Sequence, residues 1–239
     1  MLTPRALILA AGRGERMRPL TDTCPKPLLP VGGKPLIAWH LEALAAAGVT
    51  DVVINTAWLE EQFPATLGDG SRWGLNIRYS TEQRDHGGAL ETAGGIAKAL
   101  PWLVQPGQDS FWVVSGDVFL PSFEFSAAAA QCFAQGNMLA HLWLVPNAPH
   151  HPDGDFGIDA SSGLATTAPP RHTWASAGLF RAAMFDGVAP DKPKKLRPLL
   201  DATIAAQRLS AQLWPERWID VGTVERLREA DAAARACYR

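Results

Sequence analysis

Between Leu7 and Ile37 the chain reads LILAAGRGERMRPLTDTCPKPLLPVGGKPLI. An apolar run stops at Ala11, Gly12 and Gly14 follow, and Arg13, Arg16, Arg18 and Lys26 come close behind. Glycines let backbone N–H groups approach an anion, and clustered guanidinium and ammonium groups neutralise it. The stretch therefore predicts an anion site. Two familiar phosphate loops do not fit. A dinucleotide fingerprint needs a third glycine where Met17 stands, and a Walker loop needs Gly-Lys-Ser/Thr, which the chain lacks.

Two aspartates answer the cations. Asp117 closes the apolar run FWVVSGD, and Asp220 sits in RWIDVGT, far later in the chain. A lone Asp before Val or Gly is commonly a turn residue or a helix N-cap. Two delivered by separate strands suit magnesium, which takes few carboxylates and completes its shell with phosphate oxygens and water. No His-rich cluster competes for a transition metal.

The elements that must position these groups alternate. Strands are expected at Leu7–Ala10, Asp51–Asn55, Leu75–Ser80, Phe111–Asp117, Met138–Val145 and Thr173–Phe180. Helices are expected at Pro35–Ala47, in AWLEEQF before Pro64, at Ala89–Leu100, in FSAAAAQCFAQ, at Lys195–Ala206 and at Val224–Ala236. The turn-rich segment between Pro146 and His172 reads as a small hairpin and a long loop, and RWIDVGT as a short strand. Strand–helix alternation predicts an α/β fold, a Rossmann-like, mostly parallel sheet with helices on both faces. In such sheets ligands sit beyond the carboxyl ends of the strands, where Gly12, Gly14 and Asp117 fall. At 239 residues one domain over 1–239 is expected, its variable part in the second half.

Composition narrows the partners. Hydrophobic residues make up 47% and charged residues 19%, a globular balance. A net charge of −2 gives no global field for nucleic acid or an anionic membrane, so no such partner is expected. Cys24, Cys132 and Cys237 are odd in number with no C-x-x-C spacing, which predicts a reduced, cytoplasmic setting. The apolar run at Ala6–Ala11 is too short for a membrane span. No feature distinguishes an oligomer face.

The stretch LAAGRGERMRPLTDTCPKPLLPVGGKPLI resembles the signature of the sugar-1-phosphate nucleotidyltransferases, L-A-A-G-x-G-x-R-x-x-P-x-T followed by P-K-P. The resemblance extends to SGD at 115–117 and IDVGT at 219–223, nearly the whole chain. Within the family HLEALAAAGVTDVVINTAWL, LGDGSRWGLNIRYS, LETAGG, HHPDGDF and KLRPLL look most like the bacterial N-acetylmuramate 1-phosphate uridylyltransferases of peptidoglycan recycling. The resemblance implies transfer of UMP from UTP to a sugar 1-phosphate, with magnesium on Asp117 and Asp220. It implies that residues 1–120 bind nucleotide and 121–239 the sugar phosphate. The backbone at Ala11, Gly12 and Gly14 would hold the β- and γ-phosphates and Arg16 would neutralise the departing pyrophosphate. Lys26, restrained between Pro25 and Pro27, would steady the α-phosphate and the attacking sugar phosphate.

Base recognition falls by resemblance to Glu82 or Gln83 at the end of the third strand, with Leu90, Glu91 and Thr92 bordering the base. A carboxylate there suits uracil N3–H or guanine N1–H alike. The sugar pocket would draw on Asn147, His151, Asp153 and Asp155, on Ser176 where the family often has Asn, and on Lys195. Lys194, Lys195 and Arg197 are candidates for a lactyl carboxylate. Many relatives carry a C-terminal β-helix, for which the segment after DVGT leaves no room, so the transfer domain alone is expected. Other pairings, forming GDP-mannose or a UDP- or dTDP-hexose, stay open. A non-catalytic nucleotide-sensing subunit would be expected to lack Arg16, Lys26, Asp117 or Asp220, and all four are present.

Overall fold

The computed structural model describes residues 3–236, so Cys237 lies outside the described residues. Its seven main strands are Ala6–Leu9 (β1), Asp51–Thr56 (β2), Asn76–Thr81 (β3), Ser110–Ser115 (β4), Ala140–Val145 (β5), Thr173–Arg181 (β6) and Leu209–Leu213 (β7). They form one sheet in the order β7-β5-β6-β4-β1-β2-β3. β4, β1, β2 and β3 run parallel, as do β5 and β7, while β6 lies antiparallel to both β4 and β5. The mixed, mostly parallel sheet expected from the alternation is present.

Both faces are covered, which explains the unbroken apolar runs. Ala6, Ile8, Val52, Ile54, Trp112 and Val114 point into one core with Ile37, Leu41 and Leu44 of the helix Leu36–Ala46 (α1). The alternate residues Leu7, Val53, Phe111 and Val113 point into another, with Ala93, Ile96 and Ala99 of Glu91–Leu103 (α2). Each fully buried Leu, Ile or Phe contributes about 1.5–3 kcal/mol of transfer free energy, so burial on both faces anchors the central strands firmly.

Helices Ala127–Gln135 (α3), Arg197–Ala205 (α4) and Val224–Ala236 (α5) complete the layers. Ser126 caps α3, accepting a hydrogen bond from the Ala129 N–H at 3.2 Å. Three expectations change. The helix anticipated before Pro64 runs instead over Gln62–Leu67, because proline is tolerated in a first turn where its missing N–H has no partner to lose. Helix α2 passes through Pro101 to Leu103. Strand β7 was not anticipated, and it pairs with β5 at the sheet edge with Gln212 and Leu213 exposed.

A third core joins the phosphate loop to the end of the chain. Met17, with no exposed surface, packs with Leu29, Phe119, Ile219, Val221 and residues of α5. Phe119 and Ile219 belong to a short antiparallel ribbon, Val118–Phe119 with Ile219–Asp220, which crosses the carboxyl edge of the sheet.

Candidate active site

The glycine loop leaves β1 and turns through Gly14, whose φ of +69° is open to glycine at little cost. The Gly14 carbonyl accepts from the Met17 N–H at 2.9 Å and the Thr21 hydroxyl at 2.9 Å, which closes the Glu15–Met17 turn. Around Gly12 the space is open, so its backbone is reachable from the cavity it lines. Of the four cations, Arg13 stacks 3.9 Å over the Trp58 ring and Arg18 pairs with Asp22 at 2.8 Å. Lys26 lines one strand-end cavity and Arg16 its neighbour.

Lys26 is 9% exposed, and its Nζ lies 2.5 Å from Asp117 Oδ2. The Ser115 hydroxyl donates to the other oxygen, Oδ1, at 2.6 Å. Burial opposes the charged form of Asp117, but the Lys26 charge and the hydrogen bonds from Lys26 and Ser115 outweigh it and hold the carboxyl below its usual range. Gly116 lets this turn tuck against β1, its N–H donating to the Leu9 carbonyl at 2.8 Å. Beneath it the buried His40 ring has Nε2 2.9 Å from the Val118 carbonyl.

Across the ribbon Asp220 is opposite Val118, and the Val221 N–H donates to the Asp117 carbonyl at 3.0 Å. The Asp220 carboxylate meets Arg226 at 3.3 Å and His150 at 3.5 Å. A side chain at Gly222 would strike the Arg226 guanidinium and come within 3.2 Å of Arg16. Three charged groups thus converge on the glycine of DVGT.

Two cavities meet at Ser115 and Asp117. One, of 310 Å³, is lined by Ala11, Gly12, Lys26, Asn55, Ala89 and Thr92 among others. The other, of 410 Å³, brings Arg16, Asp155, Trp174, Ser176 and Asp220 around Asp117. Arg16, Lys26, Asp117 and Asp220, separated in sequence, therefore border one continuous depression. Among the described residues no group of three His, Cys, Asp or Glu side chains forms a metal cage by itself.

Three expected contacts are placed differently. Glu82 has no exposed surface, and its two carboxylate oxygens accept from Asn55 Nδ2 at 2.8 Å and from the Leu90 N–H at 2.7 Å. It supports the cavity from behind and offers no oxygen to a base. Burial pushes its pKa up, against the opposing pull of the Leu90 and Asn55 hydrogen bonds and the Lys98 charge. Leu90 is likewise spent, its N–H on Glu82 and its carbonyl on the Lys194 N–H at 2.9 Å. Asn147 donates to the carbonyls of Pro152 and Arg171 and accepts from the Thr173 hydroxyl at 2.9 Å, so it ties the second-half loop together.

Asn55 is the residue that sequence reasoning missed. Its Oδ1 accepts from the Ala10 N–H at 2.8 Å while its amide holds Glu82, a relay fixing the ends of β1 and β2 to the Leu90 turn. The signal was a polar residue ending the apolar run DVVIN. Ser176 lines the larger cavity at φ +59°, within the register shift between Trp174 and Gly178 in β6. The left-handed conformation is one in which Asn is several-fold enriched over most side chains, in keeping with the Asn that the resemblance implies here. Asp155 accepts from the Trp174 N–H at 2.8 Å and faces His151 at 3.2 Å. Lys195 is exposed at the edge of a third cavity of 340 Å³.

The fold is shared with a glucose-1-phosphate thymidylyltransferase homologue from Bacillus anthracis, solved with sucrose, at a TM-score of 0.80 over 97% of this chain and 95% of that one, with 21% identity. In sequence the chain is 51% identical, over 97% of its own length and 99% of the relative's, to the N-acetylmuramate alpha-1-phosphate uridylyltransferase of Neisseria meningitidis serogroup B. It is 32% identical to a glucose-1-phosphate thymidylyltransferase of Streptomyces griseus, over 86% of the chain and 57% of that protein. The family model described as nucleotidyl transferase matches residues 5–236, through the glycine loop, both aspartates and the ribbon that joins them, and the chain belongs to that family.

Proposed function

We propose that the chain transfers UMP from UTP to N-acetylmuramate 1-phosphate, giving UDP-N-acetylmuramate and pyrophosphate. The observation that carries this reading is the full-length 51% identity to the Neisseria meningitidis uridylyltransferase. The geometry supports the reaction class independently. A phosphate oxygen of the sugar 1-phosphate attacks the α-phosphorus of UTP, and the bond from that phosphorus to the bridging oxygen of pyrophosphate breaks. Catalysis of such a displacement is mainly alignment and neutralisation of charge, which the strand-end groups are placed to do.

The 310 Å³ cavity takes the nucleotide, with the backbone at Ala11 and Gly12 against the phosphates and Thr92 and Ala89 on the far wall. The 410 Å³ cavity takes the sugar phosphate. Lys26, at the junction, exchanges its contact with Asp117 for the reacting phosphates, and Arg16 receives the pyrophosphate charge. In this reading residues 1–120 serve mainly the nucleotide and 121–239 the sugar phosphate, with Arg16, Ser115 and Asp117 of the first half reaching into the second cavity. Asp117, just before one ribbon strand, and Asp220, on the other, are a donor set that suits magnesium, because two carboxylates leave the remaining positions to phosphate oxygens and water. Bound there, the ion would neutralise charge on the reacting phosphates.

The test is pyrophosphate release with magnesium, crossing UTP, GTP, dTTP and CTP against N-acetylmuramate, N-acetylglucosamine, glucose and mannose 1-phosphates. Release centred on UTP and the muramate is expected. Preference for another pair overturns the substrate assignment and leaves the reaction class standing.

A further inference from the structure

We infer that the 340 Å³ cavity beside the two reaction cavities is an annex that binds the lactyl carboxylate of the sugar phosphate, with Lys195 as its ion-pair partner and Arg197 alongside. The inference rests on the muramate reading above and names the group within the site that selects it. N-acetylmuramate differs from N-acetylglucosamine by a lactyl ether, which adds one carboxylate and one methyl group. A site that prefers it needs a cation and a small apolar surface next to the sugar.

The annex is continuous with both cavities. It shares Glu91 and Thr92 with the nucleotide cavity and Asp155 and Trp174 with the sugar-phosphate cavity. A substituent on a sugar lying against Asp155 and Trp174 therefore has a direct route into it. Phe156, Leu196 and Leu200, each at most 5% exposed, supply the apolar floor. The charges are unequally committed. Asp155 is held by the Trp174 N–H and His151, and Arg197 is paired with Asp201 at 2.7 Å while it stacks 4.7 Å over the Phe156 ring. No ion-pair partner for Lys195 is found among the described residues, which makes it the annex cation available to a substrate carboxylate.

The backbone beneath Lys195 is fixed. The Lys194 carbonyl accepts from the Ala93 N–H at 2.9 Å and the Gly94 N–H at 3.2 Å, and the Lys194 N–H donates to Leu90. Gly94 is required for this approach, since a Cβ there would lie 2.6 Å from the Lys192 carbonyl oxygen. The segment carrying Lys195 is thereby laced to the wall of the nucleotide cavity. Lys194 spends its backbone on that lacing and does not line the annex.

The experiment compares kcat/KM for N-acetylmuramate 1-phosphate and its lactyl methyl ester, which removes the charge and keeps the shape, in wild type, Lys195→Met and Arg197→Met. Hydrogen bonds to charged groups imply a wild-type preference for the free acid of about 10–100-fold, shrinking to within about threefold in Lys195→Met. Arg197→Met is expected to fall between. Because the readout is a ratio within each variant, a folding defect does not mimic it. An undiminished preference in Lys195→Met, or an equal loss on acid and ester, overturns the assignment. Should the wild type reject both muramate phosphates yet turn over another sugar phosphate, the substrate reading fails first, and that result is distinct from the other two.

Discussion

Gly95→Ala adds one methyl group inside helix α2, where alanine ordinarily gains about 1 kcal/mol over glycine from backbone entropy alone. Here the new Cβ would lie 2.6 Å from Glu82 Oε1 and 2.7 Å from Asn55 Nδ2, distances real Cβ atoms essentially never show. Both atoms belong to the buried relay joining Ala10, Asn55, Glu82 and Leu90. Neither can swing into solvent, since Glu82 has no exposed surface and Asn55 is 2% exposed. Overpacking costs about 1–3 kcal/mol, and each buried polar group left unpaired about the same again. With one such group left unpaired and the propensity gain set against it, the net loss is about 1–5 kcal/mol. Urea unfolding checks it, with a lower midpoint at an unchanged m-value. The KM for UTP is expected to rise too, because the relay holds Ala10, which lines the nucleotide cavity, and Leu90, which sits between the lining residues Ala89 and Glu91. A neutral or stabilising Gly95→Ala would refute the relay as described.

Asp117→Asn is expected to abolish pyrophosphate release; normal turnover at saturating magnesium would contradict its place at the junction of the cavities. Lys26→Ala removes a preorganised charge and is expected to cost about 3–4 kcal/mol of transition-state stabilisation, or 10²–10³-fold in kcat; a loss under about tenfold would count against it. Gly222→Ala crowds Arg226, Arg16 and Asp220 and should depress kcat while leaving the cooperative unfolding transition in place. His40, held neutral by burial with its pKa lowered to about 4, makes the fold weaker in mild acid. Below the unfolded value of 6.5 the unfolded chain takes up a proton that the native chain refuses until about 4. Stability therefore falls by about 1.4 kcal/mol per pH unit across that window, and a His40→Gln variant should lack this part of the slope in urea midpoints at pH 7, 6 and 5.

Most of the sheet was legible because buried strands leave an unmixed signal. LILA, the VVI of DVVIN and the FWVV of FWVVS are unbroken apolar runs, and each became a central strand with helices on both faces. Strand β7 was not, for the opposite reason. RLSAQLW sits at an edge with one polar face, and its alternation is too short to separate from a loop. The long-range motifs carried the site: Arg16, Lys26, Asp117 and Asp220 all border the depression. The base-side and loop residues did not transfer as well. A polar residue at a strand end can face a ligand or satisfy buried backbone groups, and only the three-dimensional course of the Leu90 turn assigns Glu82 to the second task. Asn147 is the same case, since its loop folds back so that its amide meets Pro152 and Arg171.

Met17 shows how one residue can exclude one chemistry and build another. In a dinucleotide loop its place is a glycine, because helix and strand must pack closely around a pyrophosphate. Here a long apolar side chain drops into the core formed by Phe119, Ile219, Val221 and Leu227. That core lies directly under the ribbon carrying Asp220 and following Asp117. The loop bearing Arg16 and the ribbon that carries Asp220 and follows Asp117 are thus seated on the same buried surface. Displacing one displaces the other, so this shared seating holds the spacing of Arg16 from the carboxylates, alongside the direct Lys26–Asp117 pair. A polar residue at 17 would lose this seating while leaving every charged group in the sequence. The spacing of the motif, rather than its charges alone, is what the apolar residues between them maintain.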